Sequence, residues 1–209
     1  MAKRVALVVA LGLGAFWAYT AHETAAAEKA LAAIATPLAG RQVGIECQGF
    51  WAALLSVSGN LGHVRFPDGV HPEDRAHLTR SVCGRLRNFT GQRSKIECLA
   101  GSEWSRATFA DAIRSPCGRR AKPVAEAVLT LAHEAMHLRG IQSEGVAQCY
   151  GIQEMPAVAV GLGGTPEDGS ALAAYALALL PGMPQDYQSP ECHAGGRLDL
   201  HPETAKFPG

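Results

Sequence analysis

Two histidines four residues apart enclose a glutamate in the segment His133-Glu134-Ala135-Met136-His137. On a helix, residues four apart lie on one face, so both imidazoles can point at a single ion. Glu134 lies beside them, within reach of a metal-bound water. This is the HExxH pattern of zinc hydrolases, in which the histidines bind the metal and the glutamate is the general base. The pattern predicts His133 and His137 as Zn²⁺ ligands and Glu134 as the catalytic residue.

A catalytic zinc site needs a third protein ligand and one open position. Gly140 matches the turn glycine of the longer pattern HExxHxxGxxH, but Ser143 stands where that pattern has its third histidine. The next residue, Glu144, can fold back over the histidines and is the favoured third ligand. A carboxylate at a helix start also compensates the helix dipole, which is a purely structural explanation for Glu144. Alternative ligands remain open further along the chain: Glu154, His193, Asp199 and His201.

Residues 123–155 resemble the core of a gluzincin-type metallopeptidase in its minimal form, with HEAMH on one helix and a glutamate on the next. The resemblance implies an enzyme that hydrolyses a peptide bond through a zinc-bound water. In thermolysin-like members the second helix reads ExxxD, and the aspartate hydrogen-bonds a ligating histidine. Here Gln148 stands at that position, so we expect it to accept an imidazole N–H without adding charge.

Peptide hydrolysis also requires a group that stabilises the developing oxyanion. Four residues qualify by type and are not distinguished by the sequence: Tyr150, Tyr187, His193 and Arg139. Gly145, early in the second helix, is expected to allow a close approach of the two helices.

Two non-enzymatic interpretations compete with the metallopeptidase. The first is a zinc-stabilised or degenerate peptidase-like domain that binds a partner at the cell envelope. The second is a metal-independent binding module held together by disulfides. Glu134 favours the enzyme, because a structural zinc site needs only its ligands.

Hydrophobic periodicity predicts the elements that position this motif. Residues 123–138 form a helix with Pro123 at its start, and Gly140 ends it. A second helix begins after Ser143 and ends at residue 155 before Pro156. A third helix covers residues 166–180, and the tail 184–209 is loop-like.

The N-terminal half is predicted to contain a small sheet. Expected strands cover residues 42–47, 63–66 and 95–99, and expected helices cover 72–86 and 104–113. The predicted fold class is therefore α+β, mainly helical, with the motif helix followed directly by a ligand-bearing helix.

The first residues are typical of an export signal. Lys3 and Arg4 precede an apolar run over residues 5–18, which is shorter than an ordinary membrane span. Residues 1–21 are thus either a cleaved signal peptide or a retained anchor that uses residues 5–19. An Ala-rich helical spacer, with a helix over residues 25–35, would occupy 22–40, and the domain would occupy 41–209. Either interpretation exports the domain to a secreted or membrane-anchored location.

The cysteine count agrees with export. An even number of cysteines in an exported chain predicts three disulfides among Cys47, Cys83, Cys98, Cys117, Cys149 and Cys192. The 19 basic and 19 acidic side chains cancel, which argues against a nucleic-acid partner. The predicted partner is a peptide or protein substrate.

Overall fold

The structure, a computed structural model, describes residues 2–49, 60–100, 104, 107–203 and 207–208. For residues 2–20 it describes only the helical backbone. Within these ranges most of the chain is helical, and a three-stranded sheet lies in the N-terminal half. The predicted α+β, mainly helical fold class is confirmed.

Helix α1 covers Ala2–Ala39. The predicted helix over residues 25–35 ends too early: Pro37 lies inside the last turn of α1, and the helix ends before Gly40, whose φ is 67°. The end of α1 packs as part of the domain, because Leu31 and Ala35 are buried in its core. That burial offsets the hydrogen bond that a proline removes from a helix.

The predicted signal peptide or anchor falls where side chains are not described. In the part of the chain with described side chains, no helix is both long and apolar enough to cross a bilayer.

The sheet consists of β1 (Gly44–Cys47), β2 (Gly62–His63) and β3 (Arg75–Leu78) in the order β1-β3-β2. Strand β1 runs parallel to β3, and β2 runs antiparallel to it. The predicted strand at 42–47 corresponds to β1. The predicted strand at 63–66 is wrong except at His63, because β2 covers Gly62–His63 and residues 64–66 are not in a strand. The third strand is not where the sequence predicted it.

Helix α2 covers Arg80–Arg87, so the predicted helix over residues 72–86 is wrong in its first part. The prediction relied on an apolar residue at every fourth position, namely Leu78, Val82 and Leu86. Of these, Leu78 ends β3, and only Val82 and Leu86 lie in α2. Thr79, in an extended conformation, separates the two elements and caps α2. The predicted strand at 95–99 is also wrong, because Ile96 ends the short helix α3 (Arg93–Ile96) and a 3₁₀ turn follows.

Helix α4 covers Phe109–Arg114, so it begins five residues later than the predicted helix over 104–113 and ends one residue beyond it, and a Thr108–Asp111 capping box starts it. Helix α5, the motif helix, covers Pro116–Leu138 and begins seven residues earlier than predicted. Ser115 caps α5 by accepting a 2.8 Å hydrogen bond from the Gly118 N–H. The proline that suits the first helical turn is therefore Pro116.

Helix α6 covers Glu144–Gly161 and carries Glu144 in its first turn. The predicted end at Pro156 is wrong, because Val158 and Ala159 stay buried beyond it and continue the packing of α6. Helix α7 (Pro166–Leu179) has the predicted span to within one residue, and its Thr165–Asp168 capping box is present. Helices α5, α6 and α7 pack against one another and enclose the main core.

The three predicted disulfides are present: Cys47–Cys83, Cys98–Cys117 and Cys149–Cys192. No cysteine of the chain is left free. The third disulfide joins the C-terminal tail to α6, the helix that carries Glu144. Such cross-links are typical of oxidising compartments and are compatible with an extracellular location.

Candidate metal centre

The motif helix ends in a Schellman turn. Gly140, with φ of 103°, donates its N–H to the carbonyl of His137 at 2.9 Å. Ile141 donates its N–H to the carbonyl of Met136 at 3.1 Å. This double hydrogen bond with a left-handed glycine is a common helix end, and it reverses the chain toward the motif. The prediction that Gly140 ends the helix is confirmed.

The same turn orients His137. The Nδ1 atom of His137 lies 2.6 Å from the carbonyl oxygen of Ile141. A carbonyl only accepts, so Nδ1 carries the proton and the lone pair lies on Nε2. A metal-ligating histidine commonly donates its other N–H to such an acceptor. Sequence reasoning missed this partner, because a backbone carbonyl leaves no residue signature.

His133, His137 and Glu144 form a candidate metal-binding group. The two Nε2 atoms are 2.9 Å apart. Oε2 of Glu144 lies 3.0 Å from Nε2 of His133 and 3.3 Å from Nε2 of His137. Ligand atoms of a tetrahedral zinc site with bonds near 2.0–2.1 Å would be about 3.3–3.4 Å apart. The three atoms therefore converge on a space of the size that a small cation requires.

The protonation states also suit a cation. Burial, followed by the charge of His133, lowers the pKa of His137 and favours the neutral imidazole. The pKa of Glu144 is also lowered, chiefly by its hydrogen bond to His133, although partial burial opposes this shift. A neutral imidazole and an ionised carboxylate are the forms that bind metals.

Glu134 lies beside this group and is 3% exposed. Burial and the charge of Glu144 raise the pKa of Glu134 to about 8. Its Oε2 atom is buried without a hydrogen-bond partner, as is Nδ1 of His133. A nearby positive charge would stabilise the Glu134 carboxylate, so this orphaned oxygen is consistent with a bound cation.

Two close backbone approaches hold these residues in place. A β-carbon on Gly62 of β2 would lie 2.8 Å from Oε1 of Glu134 and 2.9 Å from Cγ2 of Thr130. A β-carbon on Gly151 of α6 would lie 3.0 Å from the backbone nitrogen of His133. Gly62 therefore lets the sheet edge reach Glu134, and Gly151 lets α6 pack against the motif. Sequence reasoning missed both glycines.

Gly145 has a different role from the one predicted. A β-carbon there would lie 2.7 Å from the carbonyl oxygen of Gln188 and 3.2 Å from that of Asp186. The three atoms nearest to this position therefore belong to the C-terminal segment and not to α5. That segment includes the 3₁₀ turn Gln185–Tyr187, whose last residue belongs to the site.

Tyr187 stacks on His133, with ring centroids 5.6 Å apart and an interplanar angle of 20°. Burial, followed by the charges of Glu144 and Glu134, raises the pKa of Tyr187 to about 12. Tyr187 also lines the cavity that contains Glu134. The other oxyanion candidates, Tyr150, His193 and Arg139, do not line this cavity.

Gln148 is buried and lines the same cavity. It does not make the predicted hydrogen bond to a ligating histidine. Nδ1 of His137 is used by Ile141, and Nδ1 of His133 has no partner.

The alternative third ligands lie outside the candidate group. Burial raises the pKa of Glu154, and the charges of His201 and Arg139 oppose that shift. Asp199 accepts backbone N–H groups from Gly195 and His201, and His193 is exposed.

Comparison of the chain with known protein families, with curated proteins and with solved structures finds no significant match.

Proposed function

We propose that this protein is an exported, zinc-dependent metallopeptidase-like hydrolase with a gluzincin-type core. The observation that carries the proposal is the convergence of His133, His137 and Glu144 next to the buried carboxyl group of Glu134. Ligands alone would be enough for a structural metal site. The additional buried carboxyl group in a cavity favours catalysis.

Zinc is the proposed ion because the donor set is two imidazoles and one carboxylate. Such sets, with one position left open, are typical of catalytic zinc sites. When bound, zinc would supply a Lewis acid that polarises a substrate carbonyl and lowers the pKa of water.

Glu134 is the proposed general base. Its carboxylate takes a proton from the attacking water and later delivers that proton to the leaving amine. Burial and Glu144 raise the pKa of Glu134 to about 8, and the positive charge of a bound cation would lower it again, so that the ionised carboxylate can accept the proton and then release it. Burial of Glu134 keeps bulk water from competing for that proton.

Tyr187 is the proposed oxyanion donor. The high pKa of Tyr187 keeps its hydroxyl protonated at neutral pH, so it can donate a hydrogen bond. A preorganised donor aimed at the developing charge stabilises the transition state.

Export is supported by the disulfides and by the N-terminal sequence. Cross-links of this number are rare in reducing compartments. The charged start followed by residues 5–18 is typical of a signal or an anchor.

The proposal is tested by measuring metal content and hydrolysis on one preparation. The full chain, purified without chelator or added metal, should contain close to one equivalent of zinc by mass spectrometry, and His137→Ala should not. The zinc-loaded protein should cleave members of a mixed peptide library. Full zinc occupancy with no cleavage would contradict the enzyme and favour the zinc-stabilised binding domain.

A further inference from the structure

A cavity of about 370 Å³ begins at the candidate site. Its wall includes His133 and Glu134 and continues along α5 toward the start of that helix through Leu129 and Glu126 to Lys122. These spacings of three and four residues place the side chains on one helical face. An occupant of this cavity would therefore lie directly beside the reacting groups.

Most of the large apolar side chains that are exposed in the described part of the chain line this cavity. Five large apolar side chains are exposed in the described residues: Leu61, Val70, Phe109, Ile113 and Val160. Leu61, Phe109 and Ile113 line the cavity, and Val70 and Val160 do not. Exposed apolar side chains that gather around one concavity mark a binding site.

The position of Phe109 depends on a glycine. A β-carbon on Gly182 would overlap the Phe109 ring. The chain therefore leaves room for this ring against the turn that begins at Leu180, where it forms part of the cavity wall.

The far part of the cavity offers no partner to a charged occupant. Lys122 and Glu126 pair with each other at 3.3 Å, so the far end of the cavity has no net charge. Those residues lie eight to twelve positions before Glu134, about 12–18 Å along the helix. The stretch between them and Glu134 is mainly apolar, and an ion there would be desolvated without a partner.

We propose that this cavity is a specificity subsite that binds one large apolar side chain of a peptide, next to the bond to be cleaved. The substrate assignment rests on the proposed function, whereas the binding site does not. A volume of about 370 Å³ lies at the small end of ligand sites. It suits one leucine-, methionine- or phenylalanine-sized side chain with its adjoining backbone.

Binding is tested on the metal-free full chain, so that no catalytic step contributes. N-acetyl-phenylalaninamide and N-acetyl-glycinamide are titrated separately, and backbone amide shifts are followed by NMR. The phenyl compound should bind at least tenfold more tightly and should shift residues of the cavity wall. Equal affinity for the two compounds would overturn the subsite.

Ile113→Asp places a charge on the cavity wall at a position that is 37% exposed. It should weaken binding of the phenyl compound about tenfold or more. Val160→Asp makes a similar change at an exposed aliphatic residue of α6 outside the cavity and should leave binding unchanged. Equal effects of the two variants would contradict the assignment. If Ile113→Asp does not fold, Phe109→Ala tests the same wall and should also weaken binding.

Cleavage of a peptide library by the zinc-loaded protein separates this proposal from the general function. Cleavage restricted to bonds beside large apolar residues supports both. Cleavage without that preference overturns the subsite and leaves the hydrolase. Apolar-selective binding without cleavage of any peptide overturns the hydrolase and leaves the binding site.

Discussion

The ring of Tyr187 lies nearly parallel to the imidazole of His133, with 5.6 Å between the ring centroids. These residues are 54 positions apart in the chain. The contact makes the C-terminal tail a part of the site, not an appendage. Three features hold the tail there. It packs closely on Gly145, the Cys149–Cys192 disulfide links it to α6, and the Gln153 side chain of α6 donates to the Leu198 carbonyl and accepts from the Leu200 N–H, both at 2.7 Å.

Gly145→Ala should displace the tail from α6. The added methyl group would meet the carbonyl oxygens of Gln188 and Asp186 at 2.7 and 3.2 Å, and a rigid backbone cannot yield as a flexible side chain can. We expect a loss of about 1–3 kcal/mol in the free energy of unfolding, as is usual for overpacking. Denaturant titration measures this loss, and near-ultraviolet circular dichroism would report a change around Tyr187.

Gly84→Ala is the matched control for that variant. Gly84 lies in the interior of α2, and a β-carbon there meets nothing within 4 Å. The substitution should stabilise the protein by about 0.5–1 kcal/mol, because alanine loses less backbone entropy in a helix. Equal stability of the two variants would show that the tail does not pack on Gly145.

The Cys149–Cys192 disulfide should contribute to both stability and site geometry. Replacing both cysteines with serine removes a cross-link between residues 43 positions apart, with an expected cost of roughly 2–4 kcal/mol. Hydrolysis should fall as well, because the tail carries Tyr187. The Cys98→Ser/Cys117→Ser pair is the control, since it should lower stability without moving the tail. If the two double variants lost similar activity when compared at equal folded fractions, the tail disulfide would have no special role in the site.

The motif and its geometry were predictable because they are local. His133 and His137 share a helical face through the 3.6-residue repeat. Glu144 follows the motif helix after one short turn, and Gly140 in the sequence indicates that turn. Few conformations can connect elements so close in the chain, and the three candidate ligand atoms come together as expected.

The failed predictions concern residues whose conformation depends on distant partners. Leu78 fits a helical repeat, but its backbone pairs with Gly62 in the sheet. Pro156 is a typical helix end, yet burial of the residues after it extends α6. The positions of Gly62 and Tyr187 beside the motif helix likewise depend on long-range packing that no local pattern encodes.

Glu134→Gln should separate metal binding from catalysis. Glutamine has nearly the same shape but cannot accept the proton, so hydrolysis should fall by about 10²–10⁴-fold. Zinc should remain near one equivalent, because Glu134 is not one of the three converging residues. Peptide turnover and zinc content are measured on the same sample, with His137→Ala as the variant that should lose both. Unchanged turnover would exclude Glu134 as the base.

Glu144→Ala should remove a metal ligand. Oε2 of Glu144 lies 3.0 and 3.3 Å from the two imidazole Nε2 atoms, so its loss leaves only two ligands. Removing even an outer partner of a metal ligand costs about 10–100-fold in affinity. We therefore expect a decrease in zinc affinity of more than about 100-fold, measured by competition with a chelator of known affinity.

Glu154→Ala is the control for Glu144→Ala, because Glu154 lies on the same helix outside the ligand group. Its zinc affinity should equal that of the unmodified protein. The purely structural explanation of Glu144 predicts a different result, since compensation of the helix dipole is worth only about 0.3–1 kcal/mol of stability. Under that explanation Glu144→Ala would keep full zinc affinity and melt at a slightly lower temperature. Zinc affinity and melting temperature are measured together on both variants. If Glu144 is a ligand, its loss lowers zinc affinity and also removes the stabilisation that bound zinc gives, whereas loss of a helix cap lowers only the melting temperature.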